Sequence, residues 1–323
     1  MQYLDLLTDI LDELDTPEHT ARELQTQRAT WLGNSMACIS FWTGRQEGSP
    51  CHAKLTWNMS LLERNLDKAI ALGSEYLYKT CLTGPKAEEA FARVLSQQKL
   101  SMEQQFIQQG NQYAAVRAAA HYSVEYALSE RCSGVTGYHF LCGLLEQADW
   151  AAMGKKLEAV REKVLNHAAL TVSCMAARKR WQSCVPCCPA VPLLPRPHRC
   201  QALHRGADGP RERAFIIDGG VNYDILTWPM ERQADRRVLA RIMSYEYLWH
   251  NIREVGGAYG TGMLTRAQTE GLYTYRDPHL TESYETFAKA PEVLAGREYT
   301  EKDLTEFIVG AVSEMDSPQK AQR

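Results

Sequence analysis

The chain has 323 residues, a net charge of −3 and ten cysteines. It contains no run of about 18 apolar residues, so no membrane-spanning helix is expected, and its slightly acidic balance gives no electrostatic case for a nucleic-acid partner. The length suits two domains, each large enough to bury its own core.

The N-terminus, Met1-Gln2-Tyr3-Leu4-Asp5-Leu6-Leu7, is acidic and lacks a basic leader, so it reads as an amphipathic helix and not as a signal or transit peptide. Met1 opens directly into that helix with no preceding linker, as expected of an incomplete N-terminus. Without a secretion signal the cysteines read as reduced, mostly buried thiols of a cytoplasmic protein. Leu4, Leu7, Leu11 and Leu14 form one stripe at helical spacing. Thr20-x-x-Glu23 is a capping box. Residues 36–42 read as a strand, and 53–60 more clearly so, because Ala53, Leu55, Trp57 and Met59 alternate with Lys54, Thr56, Asn58 and Ser60. Asn58-Met59-Ser60 is a glycosylation sequon by letter, but its place in a strand favours plain strand structure. Helices follow near 61–79, 86–109 and 111–130, the first burying Leu62, Leu66, Ile70 and Leu77, the second starting at Pro85 after Gly84. Helices near 138–147 and 149–165 and a short strand at 169–173 complete a first domain, 1–173.

Residues 174–211 change character. They hold six prolines and five of the ten cysteines, and 174–213 carries eight basic residues against two acidic ones. Cys184, Cys187, Cys188, His198, Cys200 and His204 are zinc-ligand residue types, but the spacing matches no standard finger. A basic linker is a second reading. The third is translation out of frame, which explains why the pattern breaks after Thr171-Val172-Ser173 and resumes at Ala214-Phe215-Ile216-Ile217. It would leave the first domain short of one strand and one helix.

A second domain, 212–323, reads as strands at 213–218 and 222–228, a helix at 233–250, strands near 255–264 and 270–276, and helices near 280–294 and 301–315. Thr300-x-x-Asp303 caps the last helix, whose expected buried stripe is Leu304, Phe307, Ile308, Ala311 and Val312. The tyrosine-rich stretch 244–250 reads as core packing, with no basic aromatic surface beside it. Strands and helices mixed in this way define an α+β protein.

The chemistry concentrates in Arg253-Glu254-Val255-Gly256-Gly257-Ala258-Tyr259-Gly260-Thr261-Gly262. Glycines so dense weaken an ordinary strand. They permit unusual backbone angles or close approach of a second backbone, as a peptide lying along Gly256, Gly257, Ala258 and Gly260 would need. Arg253 and Tyr259 bracket them, a guanidinium and a phenol able to hydrogen-bond a substrate carbonyl or a developing oxyanion. A Gly-rich turn with a surface arginine and a half-buried tyrosine fits the same letters. Arg276-Asp277-Pro278 reads as a strand-ending turn with a local ion pair.

Arg253-x-x-x-Gly257-Ala258-Tyr259-Gly260, followed by Leu272-Tyr273-Thr274-Tyr275-Arg276-Asp277-Pro278, resembles the last domain of presequence-protease-type members of the pitrilysin/insulinase family. Upstream, Tyr3-Leu4 through Leu24-Gln25, Leu32-Gly33, the helix at 61–79, Tyr113-Ala114-Ala115, Ser133-Gly134 and Tyr138 resemble the third of that family's four domains. The resemblance covers 1–172 and 212–316. It implies two pitrilysin-type domains, each an antiparallel-rich sheet packed with helices. It implies further a C-terminal half that closes on an N-terminal half around an unstructured peptide. Zinc would sit in that N-terminal half, on an inverted His-x-x-Glu-His motif, and by resemblance Arg253 and Tyr259 would reach across to the substrate.

This chain contains neither His-x-x-Glu-His nor His-Glu-x-x-His. His121 and Glu125 have the wrong spacing and no second histidine, and His121 reads as an ordinary interfacial residue on a helix. No metal ligand is therefore assigned here. The expected function is the C-terminal half of a zinc metalloendopeptidase, with a separate or absent N-terminal half as partner and neither membrane nor nucleic acid involved. The alternatives are a non-catalytic structural or partner-binding module of the same family, or a non-functional gene fragment.

Overall fold

The structure, a computed structural model, describes residues 1–43, 50–165, 170–173, 212–230, 235–266 and 269–316. The linker 174–211 and its proposed frame change lie outside the described residues. Two compact units interleave along the chain. One takes Met1–Leu100 and the residues following Gly137 up to 173; the other takes Ser101–Thr136 and 212–316. The fold is α+β, mostly helical with small antiparallel sheets.

The first unit begins with α1 (Gln2–Ile10) and α2 (Ala21–Trp31). Leu4, Leu7, Leu11 and Leu14 are all buried, as their spacing requires. Full burial of each such side chain contributes roughly 1.5–3 kcal/mol. The Thr20–Glu23 capping box forms in both directions. Strands β1 (Leu32–Thr43) and β2 (Cys51–Leu61) pair antiparallel, with Ala37 opposite Trp57, Ile39 opposite Leu55 and Phe41 opposite Ala53. Directly opposite residues share a face, so the expected alternation gives an apolar face and a polar one.

Helix α3 (Leu66–Ser74) widens into π-type turns over Glu75–Lys79. Its buried face is rotated from the expected one. Ala69, Leu72, Gly73 and Tyr76 are buried while Leu62 is 60% exposed. Trp57 sets that rotation, because its ring lies where a Cβ at Gly73 would be. Helix α4 runs over Pro85–Ala119 as one element and kinks at Gln109 (φ −134°, ψ 33°), where two helices were expected. Gly84, at φ +102°, turns the chain ahead of Pro85. Then come α5 (Val124–Ser133), α6 (Val135–Gln147) and α7 (Trp150–Val164). His121 sits in the turn between α4 and α5, not on a helix. Residues 170–173 form no strand, in contrast to the strand expected at 169–173.

In the second unit, β3 (Ile225–Pro229), β4 (Gly260–Arg266) and β5 (Thr269–Tyr275) form a sheet in the order β3-β5-β4. The strand expected at 213–218 does not form: 212–217 is irregular, Phe215 and Ile216 are exposed, and no described strand lies beside them to complete a ladder. Helix α8 (Asp235–Ile242) continues as wide π-type turns over Met243–Val255. Helices α9 (Leu280–Ala295) and α10 (Glu301–Met315) close the unit, the latter on the expected Thr300–Asp303 capping box. Only Ala311 of the expected α10 stripe is buried; Leu304, Ile308 and Val312 are 37%, 47% and 47% exposed. The core lies between α8, the sheet and α9, around Met243, Tyr247, Leu248, Ile252, Met263, Leu272 and Phe287.

The cysteines also depart from expectation. Of the five described, Cys51 alone is buried and Cys81 is exposed. Among the described residues no helix is long and apolar enough to cross a membrane.

Candidate functional site: an arginine–tyrosine pair at the end of a wide helix

The glycines divide into two jobs. Gly256 and Gly257 end the helix. Gly257, at φ +78°, adopts the left-handed conformation that L side chains avoid. Its N–H donates to the Arg253 carbonyl at 3.1 Å, and that of Ala258 to the Ile252 carbonyl at 3.1 Å. This is a Schellman-type cap one residue wider than usual, as the wide preceding turns demand. Gly260 and Gly262 lie in β4, opposite Tyr275 and Tyr273. A Cβ at Gly262 would stand 3.1 Å from the Tyr273 ring and 3.3 Å from Ser244 Oγ. The clearance there is filled by a cross-strand tyrosine. The Ala258 side chain points into the core and is 3% exposed.

This turn brings Arg253 and Tyr259 together. The guanidinium carbon lies 5.7 Å from the Tyr259 ring centre and 4.2 Å from that of Trp249. Tyr259 is 67% exposed. Its amide donates to the Arg276 carbonyl at 3.3 Å, which pins the residue to the end of β5. Among the described residues neither the Tyr259 hydroxyl nor the Arg253 guanidinium has a hydrogen-bond or ion-pair partner. A phenol and a guanidinium presented in this way can donate to a carbonyl oxygen or to an oxyanion.

Aromatic residues extend the pair on both sides. On α8, Arg241, Tyr245, Trp249 and Arg253 recur every fourth residue. Arg241 stacks over Tyr245 at 5.2 Å, and the Tyr245 and Trp249 rings are 6.2 Å apart. Only Tyr247 and Leu248 of this stretch face the core, while Tyr245 is 54% exposed. The core-packing expectation for 244–250 is therefore corrected, because a basic aromatic strip lines the outer face. The four-residue spacing could have revealed it. On the other side, Tyr259 meets Tyr275 at 5.8 Å, and Tyr275 meets Tyr223 at 5.5 Å. The α4 kink at Gln109 frees helical carbonyls that these tyrosines use. Tyr275 donates to the Gln108 carbonyl at 2.9 Å, and Tyr223 donates to the Ile107 carbonyl. No sequence signal linked 107–110 to this site.

Under the pair, Asp277 and Asp224 are buried. Asp277 accepts from Ser283 Oγ at 2.6 Å and from the His279 amide at 2.9 Å, so the ion pair expected between Arg276 and Asp277 does not form. Asp224 accepts from Thr274 at 3.0 Å, and burial, with a smaller push from the Asp277 carboxylate, raises its pKa to about 6.

One group of described residues could offer three metal-ligand atoms, Glu18, His19 and Glu75, within 4.8 Å of one another. Those atoms are already engaged. Lys79 bonds Glu18 at 2.5 Å, and His19 and Thr16 both bond Glu75. The group has one histidine where the inverted zinc motif needs two, so it does not fit that metal.

The fold and the Arg–Tyr turn together describe a pitrilysin-type peptidase domain pair. The family profile of a peptidase-associated region, that of metallopeptidase family 16, subfamily C, matches residues 1–144, and the profile for "PreP C-terminal domain" matches 227–323. Protein HypA of Clostridium perfringens is 21% identical over 98% of this chain and 33% of its own length. The mitochondrial presequence protease of Mus musculus is 26% identical over 80% of this chain and 28% of its own. The periplasmic protease PqqL of Escherichia coli shares the fold, with a TM-score of 0.53 and 14% identity over 97% of this chain and 34% of that one. The chain belongs to the pitrilysin/insulinase family and corresponds to the C-terminal half of its presequence-protease-like branch. It spans about a third of the length of the relatives it matches.

Proposed function

We propose that this chain is the C-terminal half of a zinc metalloendopeptidase that degrades unstructured peptides. Its task is to hold the peptide and support the transition state, while an N-terminal half carries the metal. Zinc bound in that half would polarise the scissile carbonyl and activate water. Here, Arg253 donates its N–H groups to a substrate carbonyl, and the Tyr259 phenol donates to the oxygen on which negative charge develops. Gly256, Gly257, Ala258 and Gly260 contribute as backbone, setting the turn that presents both groups. One observation carries the reading: Arg253 and Tyr259 face each other at 5.7 Å on an exposed turn, with no partner of their own among the described residues.

An oxyanion donor is worth about 3 kcal/mol of transition-state stabilisation. The chain is to be mixed with an N-terminal half bearing His-x-x-Glu-His, and zinc-dependent cleavage of an unstructured peptide measured. Tyr259→Phe is expected to lower kcat by an order of magnitude or more with little change in KM. Equal rates for the two proteins would remove the assigned role. Peptide binding without any cleavage would move the reading to a non-catalytic module.

A further inference from the structure

Arg276 is the one charged residue of the aromatic strip that this reading leaves without a task. It sits at φ +50°, a conformation that residues other than glycine rarely adopt. The guanidinium carbon lies 5.7 Å from the Tyr275 ring centre. Hydrogen bonding to Tyr223 and the nearness of both phenols raise the pKa of this exposed side chain further. Tyr275 in turn contacts Tyr259, and the Arg276 carbonyl accepts the Tyr259 amide. The adjacent carboxylate is spent internally, since Asp277 is buried against Ser283 and the His279 amide. No carboxylate among the described residues pairs with Arg276 or Arg253.

We propose that Arg276 is a second substrate-contacting cation of this site and that it takes a carboxylate of the bound peptide. The proposal rests on the reading of Arg253 and Tyr259 as the peptide site. A guanidinium with its face on a ring keeps most of its N–H edge free, and that planar fork matches a carboxylate with two parallel hydrogen bonds. Backbone strain persists where surrounding structure enforces it, commonly at binding sites. Here the Tyr259–Arg276 hydrogen bond and the Asn222–Asp277 bridge hold the strained residue from both sides. The carboxylate could be the peptide's C-terminus or an acidic side chain near it.

The test uses the full chain and one short, fluorescently labelled, unstructured peptide in three forms: free C-terminal acid, C-terminal amide, and amide with one glutamate added near the end. Binding is followed by anisotropy at low salt. The amide should bind roughly ten-fold more weakly than the acid, the size of one charge-assisted hydrogen bond. Arg276→Gln should bind the acid as weakly as the amide, and Arg276→Lys should retain part of the preference. Recovery with the glutamate form would assign the site to side-chain carboxylates; no recovery would assign it to the C-terminus. Thermal unfolding of Arg276→Gln guards against misfolding. Equal binding of all three forms by the wild-type chain, no binding of any, or an undiminished preference in a folded Arg276→Gln protein would overturn the proposal. The reading of Tyr259 is judged separately, by turnover in the reconstituted enzyme. Cleavage that is indifferent to the terminal group would leave that reading standing and remove this one alone.

Discussion

The Arg253 guanidinium stacks 4.2 Å from the centre of the Trp249 ring, four residues earlier on the same helix. With the Tyr259 ring 5.7 Å away, the cation has an aromatic neighbour at each end of the glycine turn. Trp249 therefore acts as a positioning residue, restricting a long side chain that would otherwise sample many rotamers. An exposed cation–π contact is worth roughly 0.5–1 kcal/mol. Trp249→Leu should lower kcat/KM of the reconstituted enzyme about three-fold, with Trp249→Phe recovering most of the loss. In the isolated chain, nuclear magnetic resonance of Arg253 Nε–H should show loss of the ring-current shift in Trp249→Leu. An unchanged Arg253 signal would contradict the stacking.

The two glycine jobs predict two different penalties. Gly257→Ala places a Cβ on a left-handed residue and should cost about 1 kcal/mol, without new contacts in the core. Gly262→Ala overpacks β4 against Tyr273 and Ser244 and should cost about 1–3 kcal/mol. Denaturant unfolding of the pair tells them apart. A Gly262→Ala protein as stable as wild type would mean that Tyr273 yields freely.

Asp224 makes stability depend on pH in the sense opposite to a salt-bridged carboxylate. Its folded pKa, about 6, lies above the ordinary value of 3.8 because burial disfavours the charge. The folded state thus holds the proton more tightly than the unfolded chain. This contribution is fully present below pH 3.8 and is lost as pH rises through about 6. Asp224→Asn removes the titration. Relative to wild type, it should gain stability as pH is raised from about 4 to about 7. A difference between the two proteins that stays flat over that window would show that Asp224 is charged in the fold throughout.

Strain at Arg276 predicts a trade of stability against recognition. Glycine adopts φ +50° freely, so Arg276→Gly should unfold no more readily than wild type and gain up to about 1 kcal/mol. The same protein should lose the preference for a peptide carboxylate. A clear loss of stability would mean that the side chain's contacts with Tyr275 and Tyr223 outweigh the strain.

Much of the fold was legible from local pattern. The leucine stripe of α1, the alternation of β2 and the capping boxes at Thr20 and Thr300 depend on spacing within a few residues, and all of them form. The failures are non-local. Residues 213–218 have strand-like letters but join no ladder among the described residues, and a strand exists only through its neighbour. The rotated face of α3 follows from Trp57 pressing on Gly73, across an intervening turn. The stripe of α10 is amphipathic, yet among the described residues it is largely uncovered.

For the site, the amino-acid order alone supplied Arg253, Tyr259 and the glycines between them. It did so because helix end, turn and strand follow one another without a break, and left-handed turns demand glycine. Tertiary structure alone decided the rest. Tyr275, Tyr223 and Arg276 join the pair through strand pairing and through carbonyls freed by a kink more than a hundred residues upstream, at Gln109. Hydrogen bonds and ring contacts of that kind carry no local periodicity, so they become visible only when the chain has brought both ends together.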